Sequence, residues 1–192
     1  MGLSPASSGT GGSSGGGVGG AFDTLITGEG LKGEAYDRAL ATGAVALTSG
    51  TLRAVSCPLA AGTQIAAVIG GATVAGVGMT HGWYLIWDRT LALVAQTADV
   101  PASFQATGLI QVALTATYTV PTTGVYLLGV LCTTGTSMPT MLGSSTGGGA
   151  GTNILTTIGS GLRRQGQQAG LAAPPNPLVP ADVAASVWLG VL

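Results

Sequence analysis

The sequence predicts an all-β protein: a jelly-roll-like antiparallel β-sandwich of about eight strands, preceded by an extended Gly/Ser-rich N-terminal arm. Three observations carry this reading. From Tyr36 onward, short apolar stretches rich in Val, Ile, Thr and aromatic residues recur between Gly, Pro and Thr breaks, which is the pattern of strands punctuated by turns. No segment carries a capped apolar stripe at helical spacing. The 34 glycines supply the punctuation between these stretches, as the short strands of a sandwich or barrel require.

The chain opens with an arm. Residues 9 to 20 read GTGGSSGGGVGG, a composition that behaves as a flexible coil unless a partner surface holds it. Its apolar anchors are sparse: Leu3 and Val18, then Phe22, Leu25 and Ile26. Residues 1–35 are therefore expected to dock on another molecule, and residues 36–192 to form the body.

Within the body, Val45 to Leu47 is a first strand, ended by the Ser49-Gly50 turn signal. Thr51 to Pro58 resumes the pattern. Thr63 to Ile69 alternates Ile65, Ala67 and Ile69 and is expected to break at Gly70-Gly71. Gly82 to Trp87 ends at Asp88-Arg89, an expected hairpin turn, and Leu91 to Thr97 returns. Leu109 to Ala116 runs on through Tyr118 to Val120 and stops at Pro121. Gly124 to Cys132 is the most continuous apolar strand, and Ala185 to Leu192 closes the chain. Short turns fit Ala39 to Ala46 and Val100 to Thr107. Residues 133–180 form a Gly/Ser/Thr-rich and then Pro-rich insert, too long for an ordinary turn. It reads equally as an interaction loop or as a tolerated surface excursion.

Catalytic equipment is sparse. The single histidine, His81, has no nucleophile and acid at readable spacing, and is expected simply to start a strand. One His, two distant Cys and scattered acids give no metal-ligand cluster. Gly28 to Gly33 matches G-x-G-x-x-G, but no helix pattern follows and Arg53 stands where a dinucleotide site needs an acid. The Gly-rich arm lacks the Gly-Lys-Ser/Thr ending of a phosphate loop. Gly143 to Gly147 lacks the strand-to-helix setting of a nucleophile elbow. Glu29, Glu34, Asp37, Lys32 and Arg38 read as a solvated or interfacial charge patch. Cys57 and Cys132 lie in apolar runs and are expected to be buried thiols, with a pairing between neighbouring strands the alternative. No enzyme activity, metal or cofactor is expected.

The charges also speak to partners. Between Arg53 and Arg163 only Asp88, Arg89 and Asp99 are charged. So bare a surface favours association, and an oligomer or a subunit of a larger assembly is expected. The net charge of −1 and the lack of a basic patch beyond Arg163-Arg164 argue against nucleic acid. The most apolar window, Ala66 to Trp87, is too interrupted by Gly for a spanning helix, so no membrane is expected. The N-terminus shows no basic and apolar leader, consistent with synthesis in the cytoplasm. Trp83 and Trp87 share one face of a strand, with Tyr84 on the other. An exposed pair could stack on a glycan; a buried pair, the favoured reading, is core. Trp188 is expected to pack in that same core.

Four segments in order, Tyr36 to Leu40, SGTLRAVSCPLAAGTQI (49–65), GWYLIWDRTLALVAQTAD (82–99) and LTATYTVPTTGVYLLGVL (114–131), resemble the jelly-roll-type β-sandwich domains of virion proteins of tailed phages that infect actinobacteria. The likeness lies in a strand ending at an Asp turn, an A-Q-T-A-D strand, and a Y-T-V-P-T-T-G-x-Y-x-L-G segment. It covers about residues 36–133 and the last strand, and brings no catalytic residues with it. It implies a structural role on a particle: a capsid-surface decoration or head-fibre subunit gripping the major capsid protein through its arm, with uncharged faces packed as a homo-oligomer, a trimer being favoured. The alternative is a minor tail or baseplate protein that binds host surface glycan through Trp83 or Trp87. A β-sandwich esterase or depolymerase is the competing enzymatic class, and would need a Ser or Cys beside His81 and an acid.

Overall fold

The computed structural model describes residues 30–144, 165–181, 183 and 185–192. The arm anchors Leu3, Val18, Phe22, Leu25 and Ile26 lie outside the described residues, as do Arg163 and Arg164. The described chain forms strands and two short 3-10 turns, with no α-helix among the described residues. The strands are β1 (Gly33–Glu34), β2 (Gly43–Ala46), β3 (Leu52–Leu59), β4 (Gln64–Val74), β5 (His81–Trp87), β6 (Leu93–Gln96), β7 (Gly108–Thr119), β8 (Gly124–Thr133), β9 (Thr140–Ser144), β10 (Gln165–Gln168), β11 (Ser186–Val187) and β12 (Leu189–Val191).

Two antiparallel sheets result. One has seven strands, ordered β1-β12-β4-β9-β11 with β7 on β4 and β2 on β9; the other has five, ordered β10-β3-β8-β5-β6. The pairing is nested. β5 pairs β6, β4 pairs β7, β3 pairs β8 and β1 pairs β12. This is one long antiparallel hairpin rolled on itself, which is what a jelly roll is in physical terms. The contacts β4·β12 and β5·β8 then close each sheet.

Strands occupy all eight expected stretches, the last of them divided into β11 on β9 and β12 on β4, and three further features differ. First, β4 runs through Gly70-Gly71 to Val74 instead of breaking there. These glycines answer to packing: a Cβ on Gly70 would stand 2.7 Å from the Tyr84 hydroxyl, and one on Gly71 3.0 Å from the Leu142 Cβ. Second, the 133–180 stretch contributes β9 and β10, both paired within the sandwich. Third, the chain joins the sheet before Tyr36, through β1 and the buried Leu31. The 3-10 turn Pro101–Gln105 falls within the expected Val100 to Thr107, whereas Ala39 to Ala46 holds only the end of the turn Arg38–Leu40 and then becomes strand β2.

Alternation along the strands divides the apolar residues into separate clusters. The largest lies between the sheets and includes Val55, Cys57, Ile65, Val68, Tyr84, Ile86, Val112, Tyr126, Leu128, Met141 and Leu189. A second holds Leu52, Ala54, Trp83, Leu85, Trp87, Leu127, Leu131 and Leu178, the opposite side of the five-stranded sheet. A third gathers Leu31, Ala41, Ile69 and Trp188 on the outer face of the seven-stranded sheet. Trp188 thus does not share a core with Trp83 and Trp87. Trp188 lies between β11 and β12 and points away from the inter-sheet space, where Val187 and Leu189 project instead.

Candidate functional site

Trp83 and Trp87 do share one face of β5, with Tyr84 on the other. That face is covered. Residues 170–178 fold back over the five-stranded sheet: Leu171 N–H donates to the Gly50 carbonyl at 2.9 Å and Leu178 N–H to the Leu91 carbonyl at 3.0 Å. The Asn176 side chain accepts from Leu93 N–H at 3.2 Å. Trp87 is fully buried and Trp83 is 8% exposed. Neither offers a ring face for stacking on a sugar, so the glycan contact considered for the pair finds no surface here. The cover comes from the 133–180 stretch, nearly ninety positions away in sequence.

His81 begins β5 and has an acidic partner after all. Its Nδ1 lies 2.6 Å from Asp99 Oδ2, and its ring stacks on Trp83 with centroids 5.3 Å apart. Asp99 Oδ1 also accepts from Gly82 N–H at 2.8 Å. The link Val100 N–H to Gly82 carbonyl brings this loop to the start of β5. Nucleophilic catalysis needs a hydroxyl or thiol bonded to the imidazole; among the described residues, none is hydrogen-bonded to His81. Asp88 is a turn residue: its Oδ1 accepts from Thr90 N–H, Thr90 Oγ1 and Ala92 N–H.

Of the acidic run near the N-terminus, Glu29 lies outside the described residues, and Glu34 and Asp37 make bonds within the fold. Glu34 accepts from Trp188 Nε1 at 3.0 Å, Asp37 caps Ala39 N–H at 2.8 Å, and Arg38 lies 5.9 Å from the Trp188 ring centroid. Burial raises the Glu34 pKa, opposed by the indole hydrogen bond. Cys57 and Cys132 are both free and buried. Cys57 is in register with Tyr126, six positions from Cys132 along β8, which separates them by roughly 20 Å. Burial pushes each thiol up to about 12. Among the described residues, no three His, Cys, Asp or Glu side chains are grouped to hold a metal, and no helix is long and apolar enough to cross a membrane.

The surface that stands out is the outward side of β7. It carries Leu109, Gln111, Ala113, Thr115, Thr117 and Thr119, all exposed and none charged. β7 is an edge strand: beyond β4, the described residues give it one bridge, Thr97 to Leu114, and a Thr115 hydroxyl bond to the Gln96 carbonyl. Long edges are usually guarded by charge, proline or a covering segment; β7 has neither charge nor proline. Sequence alternation gave the strand, but its place at an edge follows only from the topology. Beside it, Gly71, Ala72, Thr73, Gly108, Leu109 and Leu142 line an apolar groove of about 240 Å³.

Comparison of the chain with protein-family models and with curated proteins finds no match.

Proposed function

We infer that this protein is a structural subunit of a tailed-phage virion, a capsid-surface decoration or head-fibre protein anchored through its N-terminal arm. The observation that carries the reading is the exposed, uncharged side of the β7 edge strand, a surface suited to burial against protein. The resemblance of residues 36–133 to actinobacteriophage jelly-roll domains, and the scarcity of charge between Arg53 and Arg163, support the same reading. In it, copies pack through these uncharged faces, with a trimer favoured, and the arm grips the shell. The chemistry is assembly, without catalysis or cofactor. The tail or baseplate alternative no longer has an exposed tryptophan pair to recommend it.

Deleting residues 1–20 tests the anchoring. Attachment to particles should be abolished while the body stays folded by circular dichroism; undiminished attachment would sink the docking arm. Native mass measurement tests the packing, and a stable monomer at micromolar concentration would count against it.

A further inference from the structure

The outer face of the seven-stranded sheet is only half roofed. On one side Leu31 packs with Ile69 and Trp188, and partly buried Leu142 and Leu192 join them. Alongside lies the apolar groove formed by Gly71, Thr73, Leu109 and Leu142. Leu142 belongs to both, so the groove is the uncovered continuation of a packed cluster. Leu109 is 58% exposed. A dry cavity of roughly 150 Å³ accepts benzene, so a groove of about 240 Å³ suits one aromatic ring with an aliphatic neighbour.

The chain outside the described structure supplies that pair. Residues 1–29 contain one aromatic, Phe22, followed closely by Leu25 and Ile26. The chain leaves the sheet at Gly30, beside Leu192, where φ is +79° and the extended path turns. Leu192 is bonded to Ala66 and Ala67 of β4. The groove begins at Gly71, five residues from Ala66, or roughly 17 Å along the strand. The eight residues from Phe22 to Gly30 can span up to roughly 28 Å. A tether this short gives an effective concentration on the order of millimolar, which favours the chain's own segment over that of a second copy.

We propose that the groove between Leu109 and Leu142 is the dock for the Phe22–Ile26 segment of the same chain, with the Phe22 ring seated in it. The root of the arm is thereby pinned to the sandwich, and residues 1–20 project from a defined point on the sheet. The dock uses Leu109 of β7 and three of the five arm anchors, leaving Gln111 to Thr119 for packing between copies and Leu3 and Val18 to grip the shell; it goes beyond the virion reading and does not rest on it.

The test is a Phe22→Cys/Leu109→Cys double variant of the full chain under mild oxidation. Leu109 is exposed, and the native thiols Cys57 and Cys132 are buried. An intramolecular disulfide should form in most chains, at least tenfold faster than in a Leu3→Cys/Leu109→Cys control. No excess over the control, or cross-links found only between chains when differently tagged copies are mixed, would overturn the proposal. As a second readout, Phe22→Ala should shift the methyl resonances of Leu109 and Leu142 by removing the ring current; unchanged resonances would also overturn it.

Discussion

The indole Nε1 of Trp87 donates to the carbonyl oxygen of Pro175 at 3.1 Å. This bond ties the end of β5 to the Pro-rich stretch, and with the bonds of Leu171, Asn176 and Leu178 it makes that stretch the roof of a core.

The roof should therefore be worth stability. Leu178 is 1% exposed within the Trp83/Trp87 cluster, and Leu178→Ala is expected to cost about 2–5 kcal/mol. Trp87→Phe leaves the Pro175 carbonyl without its donor and should cost about 1–3 kcal/mol. Urea unfolding checks both; a loss below about 0.5 kcal/mol for Leu178→Ala would mean that the 170–178 segment does not cover the sheet in solution.

Gly129 of β8 permits the close approach of the Trp87 ring to the strand. A Cβ there would stand 2.6 Å from Trp87 Cζ3, so Gly129→Ala should destabilise by about 1–3 kcal/mol through overpacking. Gly124, on the same strand, has nothing within 4 Å of its built Cβ, and Gly124→Ala should be near neutral. Equal melting temperatures for the two variants would contradict the packing described.

The thiols give a pH prediction. Burial raises Cys57 and Cys132 to about 12 from an ordinary value of 9.0. The folded state therefore holds these protons more tightly than the unfolded chain. Their stabilisation is fully present below pH 9 and is lost as pH rises from 9 towards 12, by up to about 1.4 kcal/mol per pH unit for each thiol. Chemical denaturation between pH 8 and 10 should show the decline, and Cys57→Ala/Cys132→Ala should lessen it, the raised tyrosines Tyr84 and Tyr118 adding their own decline only above pH 10. In the native protein at pH 8, neither thiol should react with a soluble disulfide reagent.

Asp99 should matter more than His81. The imidazole and carboxylate are both partly exposed, at 45% and 35%, so His81→Ala should cost less than about 1 kcal/mol. Asp99→Ala also orphans Gly82 N–H, a buried donor, and should cost about 1–2 kcal/mol. Thermal melts compare the two; a larger loss for His81→Ala would reverse the roles assigned to the pair.

Much of this architecture was legible in the residues, for stated reasons. Strands such as β3, β7 and β8 alternate or run apolar with β-branched residues, so their existence was readable. β9 and β10 were not, because Thr140 to Ser144 and Gln165 to Gln168 include Gly, Ser and Gln and borrow their order from neighbours. The Gly70-Gly71 pair looked like a break because a glycine required by close packing has the same letter as one required by a turn. The common face of Trp83 and Trp87 followed from period two, but its covering by Leu171 and Leu178 depends on long-range pairing that no local pattern encodes. His81 and Asp99, eighteen positions apart, meet only because the hairpin after β5 returns the chain to that strand's start.

The central claim is assembly through uncharged faces on a particle surface. Immunogold electron microscopy of intact particles, with antibody raised against residues 36–192, tests it most directly. The expected result is regular labelling of the head surface in many copies. Particles free of label, with the chain recovered only as unassembled monomer, would contradict the claim.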